Sequence, residues 1–160
     1  MVSCVFPGSF DPVTKGHLNL ISRASAVFDQ VTVMVMYNIH KNGIVPIEKR
    51  VELLRKACAD YPNVTVDRWD GLLAEYMYQK NERIIVRGIR SAAEMNAELQ
   101  ACAANKLLNP EIETVFLPCD PSMSGISSSA VREIAAFGGN IQEFVPDMLT
   151  EEIGRLLSKK

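Results

Sequence analysis

The chain has 160 residues, of which 48% are hydrophobic and 22% are charged, and its formal net charge is −2 at pH 7. This length and balance are typical of one soluble globular domain, residues 1–160, built around one hydrophobic core. Because so small a net charge gives no basic field, we expect no nucleic-acid partner, although local cations could still hold a small charged ligand.

Short apolar runs predict five β-strands, and amphipathic segments between them predict helices. In chain order, the predicted strands are residues 2–6, 31–37, 64–66, 83–86 and 114–117. Apolar residues at helical spacing predict helices after Thr14, after Pro46, around 72–77, from 92 to just before Asn109, over 127–137 and after Pro146. This alternation predicts parallel strands joined by right-handed crossovers, that is, an α/β fold with a single-domain, doubly wound, parallel five-stranded sheet.

The N-terminus and the cysteines indicate the compartment. The first residues, MVSCVFPGSFDP, lack the basic segment and long apolar stretch of a signal peptide. No run reaches the ~20 apolar residues of a membrane span, so we expect no membrane association. Cys4, Cys58, Cys102 and Cys119 are widely spaced and form no CxxC pair. We therefore expect a cytoplasmic protein with reduced thiols and no metal-ligating side chains.

The carboxyl edge of the predicted sheet is where a ligand is expected, near the topological switch point. In the loop after the first strand, Gly8 lets the backbone approach a ligand and His17 falls in the first turn of a helix. An imidazole at that position can donate a hydrogen bond to a phosphate. Taken alone, the same residues are equally typical of a turn with a solvent-facing histidine.

Two further loops at this edge carry similar chemistry. Arg87 and Arg90 flank a glycine after the fourth strand, and guanidinium groups bind phosphate through paired hydrogen bonds. Serines 127–129 start a helix and offer hydroxyls together with free amides, with Arg132 one turn further on. The alternatives are two surface arginines and a helix cap with more serines than it needs.

Lys41, in the loop after the second strand, and Glu98, in the fourth helix, are each typical of a solvated surface when considered alone. Together with the three loops, however, Lys41 brings several positive groups to one sheet edge. This convergence indicates a polyphosphate ligand. The sequence contains neither a GxxxxGK[ST] nor a GxGxxG motif, which argues against the commonest nucleotide-binding sites.

Two segments carry a family resemblance that covers nearly the whole chain. FPGSFDP at 6–12, followed by Gly16-His17, resembles the first motif of the nucleotidyltransferase superfamily, and ISSSAVR at 126–132 resembles its second signature. Within that superfamily, the chain is similar to the phosphopantetheine adenylyltransferase family. That similarity rests on the chain length and on RGIR at 87–90, Lys41, Glu98, EKR at 48–50 and Asn105.

The resemblance implies a Rossmann-like nucleotidyltransferase fold and a specific reaction. AMP would pass from ATP to 4′-phosphopantetheine by direct in-line attack, giving dephospho-coenzyme A and pyrophosphate in coenzyme A biosynthesis. Mg²⁺ would accompany ATP, coenzyme A would be a feedback ligand, and the chain would assemble as a homohexamer.

The resemblance also assigns roles to residues. The catalytic residues would be His17, Lys41 and Arg90. ATP would contact Ser9, Phe10, His17, Gly88, Ile89, Arg90, Glu98, Met123, Ser124, Gly125, Ile126, Ser127, Ser128 and Ser129. The phosphopantetheine substrate would contact Ser9, Lys41, Leu73 and Arg87.

Two alternatives share these motifs. One is a transferase of the same superfamily with another acceptor, such as nicotinate mononucleotide or glycerol phosphate. The other is a non-catalytic nucleotide-binding module on the same fold, because a fold alone does not fix a function.

Overall fold

The structure, a computed structural model, describes residues 1–37 and 43–158 and contains one parallel β-sheet. The strands are β1 (Ser3–Gly8), β2 (Gln30–Met36), β3 (Val64–Trp69), β4 (Ile84–Ile89) and β5 (Glu113–Pro118). The helices are α1 (Lys15–Val27), α2 (Ile47–Ala57), α3 (Leu73–Lys80), α4 (Ala92–Leu108), α5 (Ser128–Ala136) and α6 (Thr150–Leu157). Short 3₁₀ helices occupy Pro121–Met123 and Asp147–Leu149.

The strand order is β3-β2-β1-β4-β5, and every pair of neighbouring strands is parallel. The predicted α/β fold with a doubly wound five-stranded sheet is therefore confirmed. The order reverses between β1 and β4, which places the topological switch point there. No helix in the described part of the chain combines the length and apolar character needed to span a bilayer.

Helices cover both faces of the sheet because side chains alternate along each strand. Cys4 and Phe6 of β1 point into the larger core cluster, which α1, α2, α5 and α6 complete. Val5, between them, belongs to a smaller cluster on the other face, beneath α3. This double coverage explains why β2 reads as a continuous apolar run in the sequence.

Strand β4 extends further than the sequence predicts. It was expected to end before Arg87, but the pairing with β5 continues from Arg87↔Phe116 through Ile89↔Pro118. The predicted end of β4 is therefore wrong. Gly88 lies within the strand, at a position where a helix packs against its backbone. A Cβ atom at Gly88 would lie 2.3 Å from Cδ1 of Leu20, so the bare backbone lets α1 pack closely on β4.

We expect Gly88→Ala to lower the free energy of unfolding by about 1–3 kcal/mol, because the new methyl group overpacks the contact with Leu20. Gly154→Ala in α6 is the matched control, since a Cβ there meets nothing within 4 Å. This control should be neutral or stabilising by up to about 1 kcal/mol from helix propensity. Urea unfolding of both variants measures the difference, and equal stabilities would contradict the steric explanation.

The two central strands separate at the switch point. β1 pairs with β2 over six positions, but with β4 only at Val5↔Ile85. Pro7 has no amide hydrogen with which to donate to a neighbouring strand. Its carbonyl accepts a hydrogen bond from Nη1 of Arg87 at 2.6 Å. The gap between β1 and β4 is therefore bridged by a side chain, and it opens the crevice in which the candidate site lies.

Candidate active site

A cavity of about 600 Å³ lies at the carboxyl edge of the sheet, over the switch point. Its walls come from the loop after β1, the start of α1, the end of β4 and the start of α5. Of the residues predicted to bind ATP or to act in catalysis, the cavity is lined by Ser9, Phe10, His17, Gly88, Arg90, Glu98, Ile126, Ser127, Ser128 and Ser129.

A second cavity of about 400 Å³ adjoins the first and shares part of its wall, including Ser9, Arg87 and Glu98. Leu73, predicted to contact the pantetheine arm, lines this second cavity. Arg87, predicted to bind the acceptor phosphate, lines both cavities. The structure thus offers two connected compartments that meet at the Arg87 side chain.

Other predicted residues lie elsewhere or cannot be placed. Ile89 is the last residue of β4, and Met123 ends a 3₁₀ helix. Ser124, whose hydroxyl donates to the Pro121 carbonyl, and Gly125 follow that helix. The described residues that line the two cavities do not include these four, so their predicted contacts with ATP remain predictions. Lys41 lies outside the described residues.

His17 is held by a reciprocal cap at the start of α1. The Thr14 amide donates to His17 Nδ1 at 3.1 Å, and the His17 amide donates to Thr14 Oγ1 at 3.2 Å. Because an amide can only donate, Nδ1 is the acceptor and the ring proton resides on Nε2. The helix cap therefore fixes both the orientation and the tautomer of the imidazole, with Nε2–H as its free donor.

His17 is neutral at physiological pH. Burial, reinforced by the positive charges of Arg90 and Arg87, lowers its pKa to about 4. Its ring also packs edge-on against Phe10, with centroids 4.9 Å apart. A neutral Nε2–H can donate a hydrogen bond to a phosphate oxygen without first acquiring a proton.

Phe10 lines the first cavity and has an unusual backbone conformation. Its side chain is buried, and its φ of 46° is unusual for an aromatic residue. A Cβ atom at Gly8, the last residue of β1, would lie 3.0 Å from the Phe10 ring. Gly8 is therefore needed to make room for that ring.

Positive and negative side chains are paired around the first cavity. It is lined by four guanidinium groups, of Arg50, Arg87, Arg90 and Arg132, and by three carboxylates, of Asp11, Glu94 and Glu98. Arg87 binds Glu98 through two hydrogen bonds of 2.7 and 2.6 Å. Arg90 pairs with Glu94 and also donates to the Ile126 carbonyl at 3.1 Å. The carboxylates hold the guanidinium groups in place before any anion is bound.

The three serines at the start of α5 form hydrogen bonds within the site through their hydroxyl groups. The Ser127 hydroxyl caps the helix by accepting from the Ala130 amide at 3.1 Å. The Ser128 hydroxyl donates to the Pro12 carbonyl at 2.7 Å, and Ser129 accepts from Arg132 at 3.2 Å. The first amides of the helix, at 128 and 129, precede any intrahelical acceptor and are the groups suited to an anion.

Four charged residues that line the first cavity were not among the predicted contacts, namely Asp11, Arg50, Glu94 and Arg132. Asp11 and Arg50 are buried, and Nη1 of Arg132 donates to the Asp11 carbonyl at 2.6 Å. The sequence does contain a signal for Arg50, because it occupies the apolar face of α2 between Ile47 and Leu54. A charge on such a face requires buried partners.

Comparisons with known proteins show which family the chain is similar to. The Cytidylyltransferase-like family model matches residues 5–134. A phosphopantetheine adenylyltransferase from Caldanaerobacter subterraneus is 45% identical over 93% of both chains. One from Dictyoglomus turgidum is 44% identical over 96% of both, and one from Clostridium perfringens is 44% identical over 96% of this chain and 94% of its own.

Structural comparison adds the fold. A solved structure from Vibrio parahaemolyticus, assigned as a nicotinate-nucleotide adenylyltransferase, superimposes with a TM-score of 0.68. It covers 99% of this chain and 98% of its own at 17% identity, which is evidence for a shared fold alone. With relatives this similar over nearly their full lengths, the chain belongs to the cytidylyltransferase-like family and, within it, to the phosphopantetheine adenylyltransferases.

Proposed function

We propose that the protein transfers AMP from ATP to 4′-phosphopantetheine, giving dephospho-coenzyme A and pyrophosphate. The observation that carries the proposal is the pair of adjoining cavities, one cationic and one extending past Leu73, in a chain that is 45% identical to a phosphopantetheine adenylyltransferase. A reaction that joins two phosphate esters needs two neighbouring compartments with a shared boundary.

The larger cavity suits the nucleotide. Its guanidinium groups and the amide donors at the start of α5 are the groups that bind a polyphosphate. At the start of α1, the Lys15 amide donates to the Phe144 carbonyl and the His17 amide to Thr14. Among the described residues, Gly16 supplies the remaining amide of that turn, and it too lines the cavity.

The smaller cavity suits the acceptor. Met36, Leu73, Ile85 and Ala101 give it apolar walls, and Asn105 and Thr114 add polar groups. An acceptor phosphate at the end shared with the larger cavity would lie beside Ser9 and Arg87. We assign Lys41 to the same phosphate on the strength of the sequence resemblance.

The chemistry is a single displacement. An oxygen of the acceptor phosphate attacks the α-phosphorus of ATP, the bond to the β-phosphate oxygen breaks, and pyrophosphate leaves with the electron pair. The second pKa of a phosphate monoester is about 6, so the nucleophile is already an anion and needs no general base. The protein has to align the two anions and offset their repulsion, so positioning and electrostatics supply the rate enhancement.

Each catalytic residue then has a defined task. The Nε2–H of His17 donates to the α-phosphate, where negative charge builds as the two oxygens exchange. Arg90 and the start of α5 hold the β- and γ-phosphates that leave. Arg87 and Lys41 hold the attacking phosphate in line with the α-phosphorus.

Mg²⁺ belongs to this proposal as a companion of ATP. No cluster of three or more His, Cys, Asp or Glu side chains suited to a metal occurs within 1–37 and 43–158. This fits an ion held largely by phosphates and water, which is how Mg²⁺ usually binds in nucleotide sites. Bound there, it would neutralise charge on the triphosphate.

Assembly and regulation are further parts of the proposal. Helix α4 has no buried residue, its Leu99, Leu107 and Leu108 are exposed, and so is Val115 of the edge strand β5. An apolar surface of this kind favours a partner copy, in keeping with the homohexamer that the family resemblance implies. Coenzyme A carries the same pantetheine arm as the acceptor and is proposed as a feedback ligand, in a cytoplasmic enzyme.

An acceptor panel tests the function. With ATP and Mg²⁺, pyrophosphate release should occur with 4′-phosphopantetheine and should be at least about 10²-fold slower with nicotinate mononucleotide or glycerol phosphate. The polar, charged ring and ribose of the first do not match the apolar walls of the second cavity, and glycerol phosphate is too short to reach along it. Faster turnover with another acceptor would replace the assigned substrate. ATP binding without turnover on any acceptor would instead indicate a nucleotide-binding module.

A further inference from the structure

One wall of the second cavity depends on the short connection between β3 and α3. That connection is residues 70–72, and Leu73, which lines the cavity, is the first residue of α3. The helix starts without a side-chain cap, because its N-cap residue is Leu72. A helix start of this kind lacks the stabilisation that a Ser, Thr, Asp or Asn would give. The contacts that hold Leu73 in the cavity wall therefore lie elsewhere.

The side chain of Trp69, the last residue of β3, supplies such contacts. Its indole Nε1 donates to the Leu72 carbonyl at 2.9 Å. Its ring packs edge-on against Tyr76, in the first turn of α3, with centroids 5.6 Å apart. The Leu72 carbonyl also accepts from the amides of Glu75 and Tyr76 at 3.1 and 3.2 Å, so the indole is joined to the first turn of the helix.

The backbone of Trp69 is fixed to the neighbouring strand. Trp69 pairs with Met36 in the parallel register of β2 and β3, and Met36 lines the same cavity as Leu73. Gly71 leaves room for the indole, because a Cβ atom there would lie 2.9 Å from Nε1 of Trp69. One side chain therefore sets the position of Leu73 relative to strand β2.

We propose that Trp69 is a positioning residue that holds Leu73 against the pantetheine arm of the acceptor. The inference rests on the proposed function, in which the acceptor occupies the second cavity. Among the described residues that line the larger cavity, none comes from 64–80, so the role of Trp69 concerns the acceptor and not ATP. Because the arm does not react, its contacts contribute to binding rather than to the chemical step.

Trp69→Ala is the direct test, with Tyr78→Ala as the matched control, since Tyr78 is an aromatic residue of α3 that is 80% exposed. We expect Trp69→Ala to raise KM for 4′-phosphopantetheine about 10-fold, because a displaced Leu73 loses part of its apolar contact with the arm. Neither kcat nor the Kd for ATP, measured by calorimetry, should change more than about threefold. Tyr78→Ala should match the wild type in all three measurements.

Gly71→Ala provides a second test that keeps the indole. Gly71 is exposed, and the added methyl group must displace the Trp69 ring from the Leu72 carbonyl. We expect the same selective rise in KM for the acceptor. Amide hydrogen exchange at Glu75 and Tyr76 should be faster in both variants, because the first turn of α3 loses its anchor.

Fluorescence gives a readout in the wild-type protein, since Trp69 is the one tryptophan of the chain. Binding of 4′-phosphopantetheine should change its emission, because the acceptor arm contacts the residue that follows the carbonyl bound by the indole. ATP alone should change the emission much less. Equal responses to the two ligands would contradict a role confined to the acceptor.

The outcomes separate the inference from the function on which it rests. A wild-type KM for the acceptor in both variants, or equal losses for ATP and acceptor, would overturn the positioning role. A wild-type protein that does not use 4′-phosphopantetheine would overturn the proposed function, while hydrogen exchange at Glu75 and Tyr76 would still test the Trp69 contact. Should Trp69→Ala fail to fold, Gly71→Ala decides on its own.

Discussion

His17→Ala should lower kcat for AMP transfer by about 10²- to 10³-fold, the scale on which removal of one preorganised donor acts. The physical reason is that the cap from Thr14 holds Nδ1 and leaves Nε2–H as a donor of fixed direction. The Kd for ATP should change far less, because the donor is needed where charge builds during the reaction. Single-turnover kinetics and calorimetry measure the two effects separately.

Two further substitutions separate catalysis from capping at His17. In His17→Asn, the amide oxygen can take the place of Nδ1 and accept from the Thr14 amide, but nothing reaches the position of Nε2. It should unfold at nearly the wild-type temperature and be as inactive as His17→Ala. His17→Gln, whose amide nitrogen can reach the position of Nε2, should recover part of the rate. Near-wild-type turnover in His17→Asn would remove the imidazole from the reaction.

The pH dependence of the rate is a further test of the role of His17. Since the pKa of His17 is lowered to about 4, the imidazole stays neutral from pH 6 to 8 and its donor does not titrate there. Any rate change over that interval should follow the acceptor phosphate, whose second pKa is about 6.

Arg87→Ala should reduce kcat/KM for 4′-phosphopantetheine roughly 10- to 150-fold, corresponding to the ~1.5–3 kcal/mol of a charge-assisted hydrogen bond. Arg87 lines both cavities, bridges to the Pro7 carbonyl, and is held by Glu98. Its removal deprives the acceptor phosphate of a partner and leaves the Glu98 carboxylate facing that anion. Repulsion between the Glu98 carboxylate and the acceptor phosphate adds to the loss of kcat/KM, whereas the Kd for ATP should change less.

Arg83→Ala is the control for this prediction. Arg83 directly precedes β4 and forms an exposed surface pair with Glu111 at 3.3 Å, the kind of pair that contributes little to stability. Steady-state kinetics with each substrate varied in turn should show wild-type values for Arg83→Ala. If Arg87→Ala weakened ATP and acceptor binding to the same extent, the assignment of Arg87 to the acceptor would be wrong.

The sequence predicted the sheet well, and it predicted which residues lie together at one sheet edge, because both depend on local patterns. Apolar runs such as 31–37 fix where strands form, and alternation with helices fixes parallel pairing. The switch-point rule then places His17, Arg90 and the serines of α5 at one edge, and these residues do line one cavity.

Contacts between distant residues were not predictable in this way. Glycine at 88 was interpreted as a strand end, because the side chain that requires it, Leu20, is remote in sequence. The pairing of Arg87 with Glu98 likewise depends on how α4 crosses β4. Arg50 was noted as part of EKR at 48–50 but was given no contact, because its hydrogen-bond partners are the Val45 and Ser9 carbonyls and backbone partners cannot be read from a sequence.

The loop of the first motif is clamped by residues from the far end of the chain. Ser128 and Arg132 donate to the carbonyls of Pro12 and Asp11, at sequence separations of 116 and 121. During synthesis, therefore, the first motif emerges from the ribosome long before the helix that completes its pocket. We expect nucleotide binding only once the fifth helix docks, because a chain cut short before that helix contains all five strands but lacks one wall of the pocket.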